Sequence, residues 1–329
     1  MLNKKMYLSK KIFRKDIEQI PTRNGFGEGL VEAGKKDKNV VVLCADLTDS
    51  TRAIYFKEKF PDRFIECGIA EQNMMSVAAG LALAGKVPFV SNYAVFCPGI
   101  NWSQIRVNVC QNNANVKITG AHTGVSVGPD GMSHQALEDI ATMRCLPGMV
   151  VLAPCDSIET KKATIAAAEY KGPVYLRFAR EKSPVFTTEK TPFKIGRAEI
   201  FKEGKNVTII GCGPLVYEAL LAAKELKKQG IDVEVINNHT IKPMDIKTIF
   251  NSVKKTGAVV TVEEHQVMGG MGSAVCEVLA KNLPVPVEMI GMQDTFGESG
   301  EPDELLEKYG MKAKHIIAAV KKVLKRKIK

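Results

Sequence analysis

Residues able to do chemistry concentrate in three stretches of the chain. The first is Cys67-Gly68-Ile69-Ala70-Glu71-Gln72-Asn73-Met74. A strand-like run, Arg63 to Glu66, feeds a glycine and then an apolar, small-residue helix from Met74 to Ala84. Glu71 falls in the first turn of that helix, which is expected to be buried nearly all round. A carboxylate there is costly unless something pairs with it. Glu71 is therefore either a catalytic group or an N-terminal charge that complements the helix dipole. The second stretch runs from Gly120 to His134, with glycines every few residues and two histidines, His122 and His134. A compact domain rarely carries such a loop without using it. The third is Asp46-Leu47-Thr48-Asp49-Ser50, polar residues at the carboxyl end of a buried strand. Open α/β sheets place ligands at such ends.

The elements that must position these residues alternate. Arg23 opens an amphipathic helix with Phe26, Leu30, Val31 and Ala33 at helical spacing, closed by Lys35-Lys36. Strands are expected at Val40–Ala45, Pro61–Glu66, Val87–Val90, Val116–Thr119, Met149–Ala153 and Pro173–Phe178. An aromatic-bearing loop, Asn92 to Phe96, follows the third, and a helix from Asn101 to Val109 follows it. Asp156 and Ser157 read as a helix cap. Strand–helix alternation means parallel crossovers and a doubly wound sheet. A second α/β pattern starts at Val207–Ile210 and includes the strand Val259–Val262, then Glu263-Glu264-His265 and the cluster Gly269-Gly270-Met271-Gly272. The predicted organisation is a basic arm (1–20), a first α/β domain (21–182), a polar linker (183–195) and a second α/β domain (196–329). Gly211-Cys212-Gly213 lacks the third glycine of a dinucleotide fingerprint and is followed by Pro214.

Composition narrows the function classes. The chain has 329 residues, of which 45% are hydrophobic and 25% charged, the balance of a globular protein. No apolar run is long enough to span a bilayer, and the basic start lacks a secretory apolar core, so a cytoplasmic protein is expected. Eight scattered cysteines form no C-x-x-C pair, which argues for reduced, buried thiols and against zinc or disulfides. The net charge of +10 is concentrated at the two ends, read as solvated arms. No basic motif with interleaved aromatics accompanies it, so nucleic acid and membrane are not expected partners. His239 and His315 read as surface residues.

The motifs in order resemble one family. Arg63 to Met74, His122-Thr123-Gly124-Val125-Ser126-Val127-Gly128-Pro129-Asp130-Gly131 and Leu137-Glu138-Asp139 are similar to the pyrimidine-binding domain of transketolase. Val262-Glu263-Glu264-His265 and the glycine cluster resemble its C-terminal domain. The resemblance implies an α/β chain of two doubly wound domains, a thiamine diphosphate pyrimidine-binding domain followed by a transketolase C-terminal domain. It implies that Glu71 hydrogen-bonds N1′ of the thiamine diphosphate aminopyrimidine, that Phe96 packs on that ring and that Tyr93 lies nearby. Core packing is the alternative for both aromatic residues. By the same resemblance Arg23, Ser50, His122 and Arg180 hold a sugar phosphate, Asp130 contacts a substrate hydroxyl, and His134 polarises a carbonyl or donates a proton to it. Two guanidinium forks and two neutral donors suit a dianion.

Full-length transketolases also carry an amino-terminal domain with a Gly-Asp-Gly signature, which this sequence lacks. The resemblance therefore implies the C-terminal half of a split transketolase, transferring a two-carbon ketol unit between sugar phosphates such as xylulose 5-phosphate and ribose 5-phosphate. A separate N-terminal subunit would hold the diphosphate and a metal, Mg2+ or Ca2+, in an α2β2 heterotetramer, and this chain would hold no metal itself. The alternatives are the β subunit of a 2-oxoacid dehydrogenase and a transketolase-like enzyme for an unusual sugar phosphate. The loop from Tyr93 to Arg106, with Pro98 and Gly99, is one residue longer than in many relatives.

Overall fold

Runs of β-branched and apolar residues set the strands, and the computed structural model describes residues 1–327 of them and their connections. In chain order the strands are β1 (Gln19–Pro21), β2 (Val40–Cys44), β3 (Phe64–Glu66), β4 (Val87–Tyr93), β5 (Lys117–Ala121), β6 (Val150–Leu152), β7 (Val174–Phe178) and β8 (Lys182–Pro184). The second half adds β9 (Glu199–Lys202), β10 (Val207–Gly211), β11 (Val233–Asn237), β12 (Thr240–Lys242), β13 (Val259–Gln266) and β14 (Val287–Met292). They form a seven-stranded sheet, ordered β12-β6-β7-β5-β4-β2-β3, and a five-stranded sheet, ordered β14-β13-β10-β11-β9. Parallel pairing prevails, as the strand–helix alternation requires. The antiparallel exceptions are β9 on β11, the small β1–β8 pair, and β12 on β6. Through β12 the second half of the chain supplies an edge strand to the first sheet.

Helix packing uses small residues at its closest points. Helix Thr22–Lys36 lies on helix Ser157–Glu169, with Phe26, Leu30 and Ala33 fully inside. A Cβ on Gly25 would overlap the Ser157 carbonyl oxygen, and one on Gly29 would stand 2.6 Å from the Thr164 Cβ. Asp156 caps the second helix, its side chain accepting from the Glu159 amide, as its position before that helix suggests.

Several expectations change in the structure. The Glu71–Leu83 helix buries Met74, Met75, Ala78 and Ala79, but it is not buried all round. Val77 is open, Leu83 is 68% exposed, and nothing lies within 4 Å of a Cβ on Gly80. Sheet packing covers one side of this helix, and among the described residues the other side is met only in part, at Gln72 by Ile100 O and at Ser76 by Asn108. Residues 61–63 form a 3-10 turn, since Pro61 has no N–H to give to a ladder, and the strand starts at Phe64. Strand β4 continues through Asn92 and Tyr93, so those residues belong to the sheet and not to the following loop. The Asn101–Val109 helix is a short α segment, Trp102–Gln104, that widens into a π-helix over Ile105–Gln111.

The two basic ends are not solvated arms. Residues 1–20 run along the second half, with the Asn3 amide donating to Phe201 O and the Ser9 amide to Phe186 O, each at 2.9 Å. Ile12 and Ile17 are buried there, which anchors the segment while its lysines stay in water. At the other end, helix Ala313–Lys325 buries Ile316, Val320 and Val323 and turns its lysines outward. The polar stretch after Ser183 is held as well. Phe186 is fully buried, and the Asp156 carboxylate accepts from the amides of Phe186 and Thr187. His239 is buried, not on the surface, with its ring 4.3 Å from that of Phe193. His315 is partly covered beside Glu307. No described helix is long and apolar enough to cross a membrane.

Candidate active site

Strand register decides which residues meet. Pairing of Cys44 with Ser91, Tyr93 with Ala121 and Ala121 with Phe178 brings four strand ends together. The turn after β2 (Asp46–Ser50), the end of β4 (Asn92, Tyr93), His122 after β5 and Arg180 after β7 thus share one edge. The chain reverses direction in the sheet at β2, which pairs with β3 on one side and β4 on the other. That is where a doubly wound sheet opens a ligand crevice.

Glu71 begins its helix at this edge and is 8% exposed. Its Oε1 accepts from Asn92 Nδ2 at 3.3 Å, and its backbone carbonyl accepts from Asn101 Nδ2 at 3.1 Å. No cation pairs with it among the described residues, and its second carboxylate oxygen has no hydrogen bond there. A buried carboxylate with an open acceptor position suits a protonated nitrogen on a ring. The residues present therefore fit an aminopyrimidine.

Beyond Asn92 the site becomes aromatic. The Tyr93 ring stacks on His122 with centroids 3.8 Å apart, and Phe96 lies 6.1 Å from Tyr93. His134 meets Phe96 and Tyr93 edge-on, at 5.7 and 6.1 Å. Tyr93 is buried and the Phe96 ring is half-buried, so Phe96 has the more accessible face. His122 adopts a left-handed backbone, φ +57°, and is 1% exposed. Burial, then Arg23 and Arg180 and more weakly His134 and Arg52, pull its imidazole down to about 3. At neutral pH it is uncharged and has one N–H to give.

The guanidinium groups gather beside it. Arg23 Nη1 donates to the Ser50 carbonyl at 2.9 Å, so the backbone of Ser50 makes the contact, not its hydroxyl. Arg180 donates to Val127 O at 2.8 Å and stands 3.7 Å from Asp130 Oδ1 and 3.5 Å from Glu181. Arg23 is shifted downward by burial first, then by the positive charges of Arg52 and Arg180. Its buried Nε and the His122 Nδ1 have no hydrogen-bond partner among the described residues. All nine expected site residues thus fall into one connected group, which reads as an acid, an aromatic platform and a basic cluster.

The loop that carries Asp130 and His134 is shaped by the second half of the chain. It tightens into a 3-10 turn over Val125–Asp130, and Gly124 has φ +84°. The Ser126 amide donates to Glu264 Oε1 at 2.6 Å, and Gln135 Nε2 donates to Glu298 O at 2.9 Å. Behind the loop Asp139 accepts from Arg177 Nε and Tyr175 Oη, both at 2.8 Å, in a buried ion pair. Arg177 also donates to the Glu264 carbonyl at 3.2 Å. Glu263 accepts from the amides of Met271 and Gly272, and a Cβ on Gly270 would strike its carboxylate. That contact explains Gly270, while a Cβ on Gly272 would meet Thr261 Oγ1 at 2.5 Å and Gly269 has φ +74°. Asn92, Asn101, Arg52 and Glu264 were missed as site residues. The available signals were polar side chains inside buried strands, Asn92 in β4 and Glu264 in β13.

Comparison with known proteins gives the family of the chain. Residues 18–185 match the transketolase pyrimidine binding domain and residues 196–316 the transketolase C-terminal domain. The chain is 46% identical to a putative transketolase C-terminal section from Methanocaldococcus jannaschii, over 92% of this chain and 96% of that one. It is 41% identical to the 6-deoxy-6-sulfo-D-fructose transketolase subunit SqwH of a Clostridium species, over 96% and 98%. A solved structure described as a split gene transketolase, inactive beta4 tetramer, superposes with a TM-score of 0.88 at 47% identity, covering 94% of this chain and all of that one. The chain belongs to the transketolase family. It carries that family's pyrimidine-binding and C-terminal domains in order.

Proposed function

We propose that this chain is the C-terminal subunit of a thiamine-diphosphate-dependent transketolase that moves a two-carbon ketol unit from a ketose phosphate to an aldose phosphate. One observation carries the reading. A buried Glu71 with an open acceptor oxygen stands at the same sheet edge as a cluster of arginines around a neutral His122. Thiamine diphosphate, when bound, supplies a nucleophilic carbon and an electron sink for such chemistry.

The residues of this chain divide the work. Glu71 would hold the aminopyrimidine N1′ through a shared proton, with Asn92 fixing its carboxylate. Phe96 would lie against the ring, and Tyr93 would support His122 from behind. Arg23, Arg180, His122 and the Ser50 turn would hold the phosphate, Asp130 a substrate hydroxyl next to the reacting carbons, and His134 would donate to the carbonyl oxygen. An N-terminal subunit would complete the site with the diphosphate and the Mg2+ or Ca2+ site, two copies of each subunit forming the enzyme. The relatives described as a C-terminal section and as a split-gene protein support that division. A second reading, transfer to or from an unusual sugar, is favoured by the likeness to the sulfofructose transketolase subunit.

A coupled assay with xylulose 5-phosphate, ribose 5-phosphate, thiamine diphosphate and magnesium tests the proposal. The chain is assayed alone, with its N-terminal partner, and as Glu71→Ala with that partner. Activity in the wild-type mixture only is expected. No activity in a mixture that forms a stable, cofactor-binding complex would exclude the pentose phosphates and move the search to sulfonated and other sugars.

A further inference from the structure

Arg52 sits in the turn after β2 at φ +67°, a left-handed backbone that a long side chain holds only when its surroundings require it. Helix Thr22–Lys36 is what requires it. Gly27 of that helix comes so close that a Cβ there would stand 2.7 Å from the Arg52 carbonyl oxygen and 2.9 Å from its Cβ. The side chain is then gripped twice, Nε donating to Asn24 Oδ1 and Nη1 to Asp49 O, each at 3.1 Å. Arg23 crosses the same joint in the other direction to the Ser50 carbonyl. Two half-buried guanidinium groups are thereby locked side by side, and neither is paired with a carboxylate among the described residues. Arg180 is the third, and its carboxylate neighbours are no closer than 3.5 Å.

Like charges held together without a counter-ion repel, and fixing them costs still more when donors are left unused. Here Arg52 Nη2 has no partner among the described residues, and Arg23 Nε and the nearly inaccessible His122 Nδ1 are buried with none. An anion among them would use these donors and cancel the repulsion. We propose that Arg52 is a specificity-determining residue, joining Arg23 and Arg180 in a subsite for a tetrahedral oxyanion on the terminal carbon of the sugar. This rests on the sugar-transferring function proposed above. A planar, always-charged fork fixed at two of its nitrogens gives directional binding with little further loss of side-chain freedom. The oxyanion is a phosphate ester or a sulfonate, both of which offer three oxygens to such a cluster.

The test uses the assembled enzyme and Arg52→Gln and Arg52→Lys variants, with a ketose phosphate, the matching sulfonate and the uncharged ketose as donors. For the preferred charged donor, kcat/KM relative to the uncharged ketose falls about ten- to a hundredfold in Arg52→Gln, the effect of losing one charge-assisted hydrogen bond. The loss appears mainly in KM, and Arg52→Lys recovers part of it. Of the phosphate and the sulfonate, the one with the higher wild-type kcat/KM is the oxyanion the subsite prefers. Charged and uncharged donors responding alike, or no response from either, overturns the assignment. A binding readout separates this from the function on which it rests. Inorganic phosphate and sulfate are titrated into the free chain while its melting temperature is followed. A wild-type shift that Arg52→Gln abolishes supports the subsite even when no sugar is turned over, and a shift retained in the variant refutes it.

Discussion

Removal of the Glu264 carboxylate in Glu264→Ala should unfasten the loop that carries Asp130 and His134 while leaving both domains folded. Glu264 Oε1 is the acceptor for the buried Ser126 amide at 2.6 Å, and that amide makes no other hydrogen bond in the described structure. Leaving a buried donor unsatisfied costs about 1–3 kcal/mol. The remaining ties of the loop are Gln135 to Val125 O and Glu298 O, Arg180 to Val127 O and to the Asp130 carboxylate, and the Gly124 amide to Ala136 O. None of them gives the Ser126 amide an acceptor, so that buried donor stays unsatisfied when the Glu264 carboxylate is removed. At about 1.4 kcal/mol per factor of ten, the local opening equilibrium should shift about five- to 150-fold. Hydrogen exchange by mass spectrometry reads this directly as faster exchange of amides 125–134, with strands β10 and β13 unchanged. Glu264→Gln keeps an acceptor and should lose less. In the assembled enzyme, turnover should fall along with protection, because a misplaced Asp130 and His134 no longer meet the substrate in fixed geometry. Wild-type exchange across 125–134 in a folded Glu264→Ala protein would show that the 3-10 turn stands by itself and that the second half does not position it.

Two further outcomes follow from buried groups elsewhere. Burial first, and then the neighbouring Asp156 carboxylate, push Glu159 up to about 7 from an ordinary 4.5. The folded chain therefore holds that proton more tightly than the unfolded one. The resulting stability is fully present below about pH 4.5 and is lost as pH rises through 7. Melting temperature should drop between pH 5.5 and 8, and Glu159→Gln should flatten that slope, since Asn237 can turn its unpartnered Oδ1 toward the new amide; an unchanged slope in the variant would assign the titration to another group. Gly25→Ala should lower stability by about 1–3 kcal/mol in urea denaturation, because the added methyl overlaps the Ser157 carbonyl at a helix–helix contact that cannot open without moving the sheet. A loss below about 0.5 kcal/mol would mean that the two helices separate easily.

Much of the architecture was legible because its determinants are local. Alternating apolar runs and amphipathic segments specify strand and helix wherever burial follows the periodicity, as in Val40–Cys44 and Thr22–Lys36. The polar run closing β2, the acid opening the Glu71 helix and the glycine-rich loop marked the crevice, since a doubly wound sheet leaves its strand ends free for ligands. The errors came where an element's surroundings, and not its own pattern, set the outcome. The basic segment before residue 20 reads as solvated because its charges dominate, yet Ile12 and Ile17 find a cover on a unit that begins some 180 residues later. The Glu71 helix is almost wholly apolar from Met74 onward, but among the described residues the sheet covers only one of its sides.

The order of residues along the chain was enough to specify the two α/β units, the succession of their motifs and the residue types available at the crevice. These depend on periodicity and on short-range backbone preferences, which a chain carries wherever it is placed. Tertiary structure decided which of those residues act together. The Ser126–Glu264 bond joins residues 138 apart, β12 crosses into the other sheet, and Arg23 and Arg52 interlock only because Gly27 lets helix and turn touch. Such contacts arise from how faces meet, and a linear pattern carries no record of the distance between two side chains until the packing that sets it has formed.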